Sequence, residues 1–286
     1  VRALRQWYRR HGRHNLPWRA TQNPYRILVS EVMLQQTQVE RVLKRYRVFL
    51  KQFPNLRVLG RASLAAVLRG WQGLGYNRRA LYLKRAAEAC AREGTGRLPE
   101  TYEALRKLPG VGDYTARALL SFAFAKRVPL ADTNIRRIYS RLFFGKNPSV
   151  VSEKELERLI ARTLPNKQAR EFQWALMDLG SLICRAKPRC ITCPLRKHCK
   201  AAPKVLAHGS RALEGRVVRH PQSRFEGSDR QIRGKLVDAL RKKKSGTIAT
   251  LSRATRAPRR RTASALEALI QDELVVKRKS VYALSL

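Results

Sequence analysis

The stretch that most restricts this chain runs from Leu105 to Asp132. It opens Leu105-Arg106-Lys107-Leu108-Pro109-Gly110-Val111-Gly112-Asp113-Tyr114-Thr115-Ala116 and leads on to Leu130-Ala131-Asp132-Thr133-Asn134. A short helical run meets Pro109, which cannot continue it. Gly110 and Gly112 let the backbone turn tightly and present bare N–H groups. Val111 between them is placed to plug into the core. A second helix begins near Asp113, with Asp113 or Thr115 as its expected N-cap. A turn of this kind at a helix N-terminus can hold an anion such as a DNA phosphate. Gly-Val-Gly alone would be only a connection between helices. The whole string, with Asp132 down-chain, is far more specific.

The charge points to a polyanion. Lys and Arg number 61 against 20 acids in 286 residues, a formal charge of +41. No enzyme of small metabolites needs that excess, whereas DNA, RNA or a membrane surface would account for it. No apolar run is long enough to span a bilayer, so no membrane is expected. No signal peptide is visible, although the chain begins at Val1. The five cysteines are too few and too clustered for a secreted disulfide framework, and a reducing, cytoplasmic setting is expected. The length allows two or three domains.

In chain order, an amphipathic helix runs from Leu4 to His11, with Trp7 and Trp18 as expected core residues. Arg19 could reach a phosphate or a base. Pro24 opens a helix, and Ile27, Leu28, Val32, Met33, Leu34, Val39, Val42 and Leu43 are spaced for a buried helical face. Glu31 lies among them, with Gln35 one turn later on much the same side. Gly73-Leu74-Gly75-Tyr76-Asn77 is a tight connection that puts an aromatic ring at a loop tip. Residues 78–128 supply three more helices, with Arg78, Arg79, Lys84 and Arg85 on a basic face and Cys90 in the core. Helices follow over Ile135–Phe144, Glu153–Arg162 and Ala169–Leu182. Cys184, Cys190, Cys193 and Cys199 form a strong metal signal, for which zinc is the generic first choice.

Residues 201–229, mixed and basic with Gly and Pro, read as a linker. Beyond it, helices over Gln231–Lys242, Thr247–Arg253 and Pro258–Gln271 precede two short strands, Leu274–Lys277 and Val281–Leu284. Three helices and a β-hairpin match a winged-helix module over 230–286, with Arg259, Arg260 and Arg261 facing DNA.

The Leu-Pro-Gly-Val-Gly-x-Tyr-Thr-Ala string with Asp132 resembles the helix-hairpin-helix DNA glycosylases. The run Ser30-Glu31-Val32-Met33-Leu34-Gln35-Gln36-Thr37-Gln38-Val39 resembles the catalytic helix of their MutY-type adenine-removing branch. The resemblance covers residues 1–200 and implies an all-α fold of two helical subdomains with an iron–sulfur loop at 184–199. It implies Glu31 as general acid at adenine N7 and Asp132 as the carboxylate that stabilises the sugar cation, supported by Tyr114 and Asn134. It implies that Gln35 and Tyr76 enter the gap left by a flipped base, that Gln36 contacts the DNA, and that Gly110, Val111 and Gly112 grip the backbone. One 4Fe-4S cluster is implied on the four cysteines, although the first gap here holds five residues where the family has six. Lyase members carry Lys where this chain has Tyr114, so strong strand cleavage of the endonuclease III kind is not expected.

The expected function is therefore a monofunctional glycosylase acting as a monomer on mismatched double-stranded DNA, removing adenine opposite 8-oxoguanine or guanine. Full-length relatives commonly carry a Nudix-like domain that reads 8-oxoguanine, and about 55 residues is too short for one. Two alternatives stand: a thymine or uracil mismatch glycosylase, and a catalytically silent DNA-binding protein. Gln35-Gln36 favours adenine, because the pyrimidine branch tends to carry Arg-Arg there. Trp174 pulls the other way, standing where a polar purine contact is expected. Intact Glu31 and Asp132 argue against a silent binder.

Overall fold

Segments of apolar residues spaced three and four apart, broken by Gly, Pro and Asn, fold as short helices in the computed structural model, which describes residues 1–92, 96–215 and 224–285. In chain order these are α1 (Arg2–His11), α2 (Pro24–Leu34), α3 (Val39–Gln52), α4 (Leu56–Arg61), α5 (Leu64–Gly70), α6 (Arg78–Arg92), α7 (Tyr102–Lys107) and α8 (Asp113–Phe122). They continue with α9 (Thr133–Tyr139), α10 (Glu153–Thr163), α11 (Ala169–Leu182), α12 (Ala202–His208), α13 (Asp229–Lys243), α14 (Ile248–Thr255) and α15 (Arg259–Gln271). Three short strands, β1 (Ser245–Thr247), β2 (Val275–Arg278) and β3 (Val281–Leu284), complete the described elements. No helix among the described residues is long and apolar enough to cross a membrane.

The chain forms two compact units. The first comprises Val1–Ile27, Glu100–Tyr102 and Gly112–His220, the second Leu28–Pro99, Glu103–Val111 and Pro221–Leu286.

In the first unit, α11 packs against α1, α8 and α9 over a core that includes Leu4, Leu119, Ile135, Phe172 and Leu179. Trp18 is 6% exposed, as expected of a core residue. Trp7 is not in the core; it is half-buried and its ring lies 5.9 Å from that of His11. The helix expected to run from Ile135 to Phe144 keeps α geometry only to Tyr139. It then widens into a π turn, Ser140–Phe144, that closes on Gly145 at φ 67°. The expected linker also needs correction in its first half. Residues 202–208 form α12, and Ala201, Val205 and Leu213 make a small core against Cys190 and Cys199. Apolar spacing of only three residues hid this helix in a basic stretch. The rest of the expected linker includes residues 216–223, which lie outside the described residues.

In the second unit, α4 and α5 pack on α6 around Phe49, Leu59, Leu68, Trp71 and Leu83, and Cys90 is buried as expected. The apolar run from Ile27 to Leu43 is not one helix. It breaks after Leu34, Gln36 turns left-handed (φ 53°), and α3 begins at Val39. Leu43 is 37% exposed, because the break re-phases the buried face onto Val42, Tyr46 and Phe49.

The same unit holds the C-terminal elements, in the order α13, β1, α14, α15, β2, β3. Their sheet is antiparallel with strand order β1-β3-β2, Ala283 facing Ser245 on one side and Val276 on the other. β1 went unforeseen because Ser-Gly-Thr carries no strand signal. Leu236, Leu240, Leu251, Leu266 and Leu269 fill the core between the three helices.

Candidate active site and DNA-binding elements

In the second unit the site is built on the end of α2. Glu31 is half-buried there, between the fully buried Ser30 and the buried Val32. The last carbonyls of a helix lack intrahelical partners. Here one side chain satisfies several of them. Arg79 Nη1 donates to the carbonyls of Val32 (2.8 Å), Met33 (2.9 Å) and Gln35 (2.5 Å). Its Nη2 donates to Thr37 Oγ1 (2.9 Å) and to the carbonyls of Leu74 (3.1 Å) and Gly75 (3.0 Å). A single guanidinium thus joins the Gln35-Gln36 turn to the Gly73–Tyr76 loop. Burial lowers its pKa to about 10, which leaves it charged at neutral pH.

That loop presents Tyr76. Gly73 (φ 85°), Gly75 (φ 68°) and Tyr76 itself (φ 46°) are all left-handed, a conformation that costs a non-glycine residue about 1–2 kcal/mol. Trp71, wholly buried, donates from Nε1 to the Gly75 carbonyl at 3.1 Å. The Tyr76 ring is 43% exposed and lies 5.4 Å from the Arg79 guanidinium carbon. Gln35 is half-buried and Gln36 exposed.

The hairpin turn has its two glycines exposed and Val111 buried between them. Gly110 is left-handed (φ 76°), and a Cβ there would meet Tyr82 Cβ at 2.6 Å, so only glycine fits. The N-cap of α8 is neither Asp113 nor Thr115. Gly112 occupies it, Asp113 is the first helical residue, and Thr115 is buried inside the helix. Asp113 Oδ1 instead accepts from Tyr102 Oη (2.6 Å) and Arg117 Nε (2.8 Å). Glycine brings no side-chain cap to this helix start, where an anion can meet backbone N–H groups.

In the first unit, Asp132 is the N-cap of α9. Its Oδ1 accepts from the Ile135 N–H at 2.7 Å and its Oδ2 from Asn134 Nδ2 at 3.0 Å. Burial pushes its pKa above the ordinary carboxylate value, opposed by these hydrogen bonds and by the charge of Arg137. Arg137 donates to Asn134 Oδ1 (2.7 Å), to the Gly180 carbonyl (2.8 Å) and to the Cys184 carbonyl (2.6 Å). Asp132, Asn134, Arg137 and the first cysteine are therefore one hydrogen-bonded chain. Tyr114 lines a small hollow with Ala131, next to Asp132.

Two expected contacts have other duties. Arg19 does not present itself to a ligand: its side chain is 6% exposed and forks onto the fully buried Asp178 at 2.7 and 2.8 Å. Trp174 is a core residue, packed on Phe122 with Arg19 and Arg170 over its ring. The neighbouring Gln173 is also buried, bonded to Ser121 Oγ and the Leu130 N–H.

All four cysteines of the loop line one hollow together with Arg141, each half-buried, while Arg185, Lys187, Arg189, Arg196, Lys197 and Lys200 are exposed. Burial pushes the thiols of Cys190, Cys193 and Cys199 up, Cys193 to about 11. Arg141 is 2% exposed, and its hydrogen bonds go to Asn147 Oδ1, the carbonyls of Arg185 and Ala186, and Cys184 Sγ at 3.8 Å. A buried cation among neutral acceptors and thiols suits cysteines that carry negative charge as metal ligands. Among the described residues, no three Cys, His, Asp or Glu side chains gather tightly enough for a single metal ion.

Arg79, Arg137 and Arg141 were not singled out from the sequence for these roles. Each sits among many arginines, and only the fold separates a buried anchor from a solvated charge. In the C-terminal elements Arg259 and Arg260 are exposed, whereas Arg261 bonds Asp229 at 2.6 Å and does not stand free toward a ligand.

Residues 29–165 match the HhH-GPD superfamily of base excision DNA repair proteins. An adenine DNA glycosylase of Mycolicibacterium smegmatis is 41% identical over 240 residues, 83% of this chain and 79% of that one. One of Mycobacterium tuberculosis is 39% identical over 279 residues, covering 96% of this chain and 89% of the relative. A solved thermostable thymine-DNA glycosylase superposes with a TM-score of 0.66 at 30% identity, over 71% of this chain and 95% of that one. The chain belongs to the HhH-GPD superfamily, in its MutY-type branch of DNA glycosylases. It is thus an enzyme acting on N-glycosyl bonds, with the helical fold the hairpin string implied.

Proposed function

We propose that the chain excises adenine mispaired with 8-oxoguanine or guanine from duplex DNA. The observation that carries the reading is Asp132, a desolvated carboxylate fixed by Ile135 and Asn134 at a helix start. Glu31 protonates the flipped adenine at N7. The C1′–N9 bond then breaks, its electron pair leaving with the neutral base. Asp132, as a carboxylate, faces the cation left on the sugar and stabilises it. Water adds to C1′ and gives up a proton, and Glu31 is reprotonated from solvent. Tyr114, in place of the lyase lysine, leaves the strand uncut.

Tyr76, with Gln35 and Gln36 behind it, wedges into the stack where the base has left. Gly110, Val111 and Gly112 take a phosphate. The C-terminal elements act as a winged-helix module, with Arg259 and Arg260 on the duplex. Cys184, Cys190, Cys193 and Cys199 hold a 4Fe-4S cluster. All four line one hollow beside the buried Arg141, and together they would supply the four thiolates such a cluster takes. The group supplies a covalent anchor for the basic loop and no redox step.

One observation favours a second reading, thymine or uracil excision opposite guanine. Trp174 is packed away where a polar purine contact is expected. Single-turnover base release on duplexes holding A:8-oxoguanine, A:G, T:G or U:G decides. Adenine release supports the first reading, and its preference for 8-oxoguanine over guanine would show that the residues of this chain read the oxidised base. Thymine or uracil release alone would transfer the protein to the second.

A further inference from the structure

The C-terminal elements are fastened to α6 and to the loop before it by a set of bonds within the second unit. Asp272 pairs with Arg78 (3.5 Å) and with Arg233, and Glu273 takes the guanidinium of Arg85. Two of the four residues expected on the basic face of α6, Arg78 and Arg85, are thus spent on holding this segment. α13 also packs on α5.

One of these bonds reaches the loop that carries Tyr76. Arg241, in the last turn of α13, donates from Nη2 to Asn77 Oδ1 at 3.0 Å. Asn77 directly precedes α6, and its carbonyl accepts from the Ala80 N–H at 3.0 Å. The side-chain oxygen of an asparagine at such a position ordinarily serves the helix's own N–H groups. Here it serves the C-terminal segment. The Arg241 side chain is only 7% exposed, its Nη1 is held by Asp238 at 2.5 Å, and its buried Nε has no hydrogen-bond partner. A long cationic side chain gains most by snorkelling to water. One kept buried with an unpaired N–H is held for its contact.

We propose that Arg241 is a positioning residue for base flipping, through which the C-terminal segment braces the Tyr76 loop. Arg79 and Trp71 hold the loop from its carbonyls, and Arg241 holds its exit at Asn77. Together they keep Tyr76 in its left-handed conformation before DNA arrives, so that the cost of ordering the wedge is not met during flipping. Asn77 supplies the acceptor that Arg241 needs. The inference rests on the proposed wedge role of Tyr76.

The test uses the full chain and a duplex with 2-aminopurine beside the target adenine, at saturating enzyme. Fluorescence reports flipping, and base release is followed in parallel. Arg241→Met and Asn77→Ala should each lower the flipping amplitude and the release rate by about tenfold, with the double variant no worse than either. Asn77→Asp, which gives Arg241 a charged partner, should flip at least as well as the parent and guards against misfolding as the cause. Tyr76→Ala is the control. If it abolishes flipping while Arg241→Met and Asn77→Ala leave flipping intact, the brace is refuted and the wedge stands. If Tyr76→Ala leaves flipping intact, the wedge reading fails and the brace with it.

Discussion

Arg79 Nη1 lies 2.5 Å from the carbonyl oxygen of Gln35, and the same guanidinium holds the carbonyls of Leu74 and Gly75. The helix that carries Glu31 and the loop that carries Tyr76 therefore share one anchor. Arg79→Ala would strand several buried carbonyls, and each unsatisfied group costs about 1–3 kcal/mol. A loss of at least about 3 kcal/mol in denaturant unfolding is expected. Arg79→Lys should recover only part, since an ammonium lacks the planar fork that reaches both segments. Wild-type stability in Arg79→Ala would show that the anchor is idle.

Glu31→Gln keeps the shape of the side chain and removes its proton. Mismatch affinity should be unchanged, measured by titration of a labelled duplex. Base release should fall by about 10²–10⁴-fold, the usual contribution of a general acid. Undiminished turnover would remove Glu31 from the chemistry.

The contrast between Glu31 and Arg19 marks how far the sequence could be read. Glu31, Asp132 and the four cysteines each sit in a string whose spacing demands special residues, and the fold places them on a helix end, a helix cap and one hollow. The hairpin was legible for the same reason, since Gly110 is the only residue that clears Tyr82. Arg19 was not legible. An arginine after Pro-Trp gives no sign of a carboxylate 159 positions away, and only the packing of α11 brings Asp178 to it. Arg79, Arg137 and Arg241 share that fate in a chain with 61 basic residues. Boundaries erred where apolar spacing carried through a polar break, as at Gln36, or was too short to register, as in α12.

The buried pair that took Arg19 makes its own prediction. Burial would raise the Asp178 carboxyl, but hydrogen bonds and charge from Arg19 and Arg13 override it and hold it below the ordinary range. Its contribution to stability is present at neutral pH and is lost as pH falls through that depressed value. Removing one partner of a buried pair costs about 3–5 kcal/mol, so Arg19→Ala should lower stability by that order and shift acid unfolding to higher pH. A thermal melt at pH 7 and an acid titration by circular dichroism measure both. A merely local loss of DNA affinity with no change in stability would return Arg19 to a DNA-contacting role.

Asp132 has the opposite linkage. Its folded-state pKa is raised above 3.8, so the folded chain keeps this proton where the unfolded chain has lost it. The favourable contribution is full below the unfolded value and declines as pH rises through the folded one. Asp132→Asn retains an oxygen for the Ile135 N–H and cannot ionise. Its stability relative to the parent should improve as pH rises above 3.8 and level off once Asp132 is ionised in the folded chain, read from denaturant midpoints, while base release drops by about 10²–10³-fold or more. A pH-independent difference would mean that Asp132 is not desolvated in the folded protein.

Arg259 and Arg260 open α15 with both side chains exposed, and Arg261 beside them is committed to Asp229. If the first two each neutralise a phosphate, the double change Arg259→Ala, Arg260→Ala releases two fewer counterions. The slope of log K against log salt should then shrink by about 1.8, at about 0.9 per phosphate, and affinity at low salt should fall for matched and mismatched duplexes alike. Arg261→Ala should instead lower the melting temperature slightly and leave the slope nearly unchanged, because an exposed pair is worth about 0–1 kcal/mol. Equal slopes for the parent and the double variant would mean that the start of α15 does not track the backbone, and the basic charge of the C-terminal elements would have to be sought on the β2–β3 hairpin, where Lys277, Arg278 and Lys279 lie.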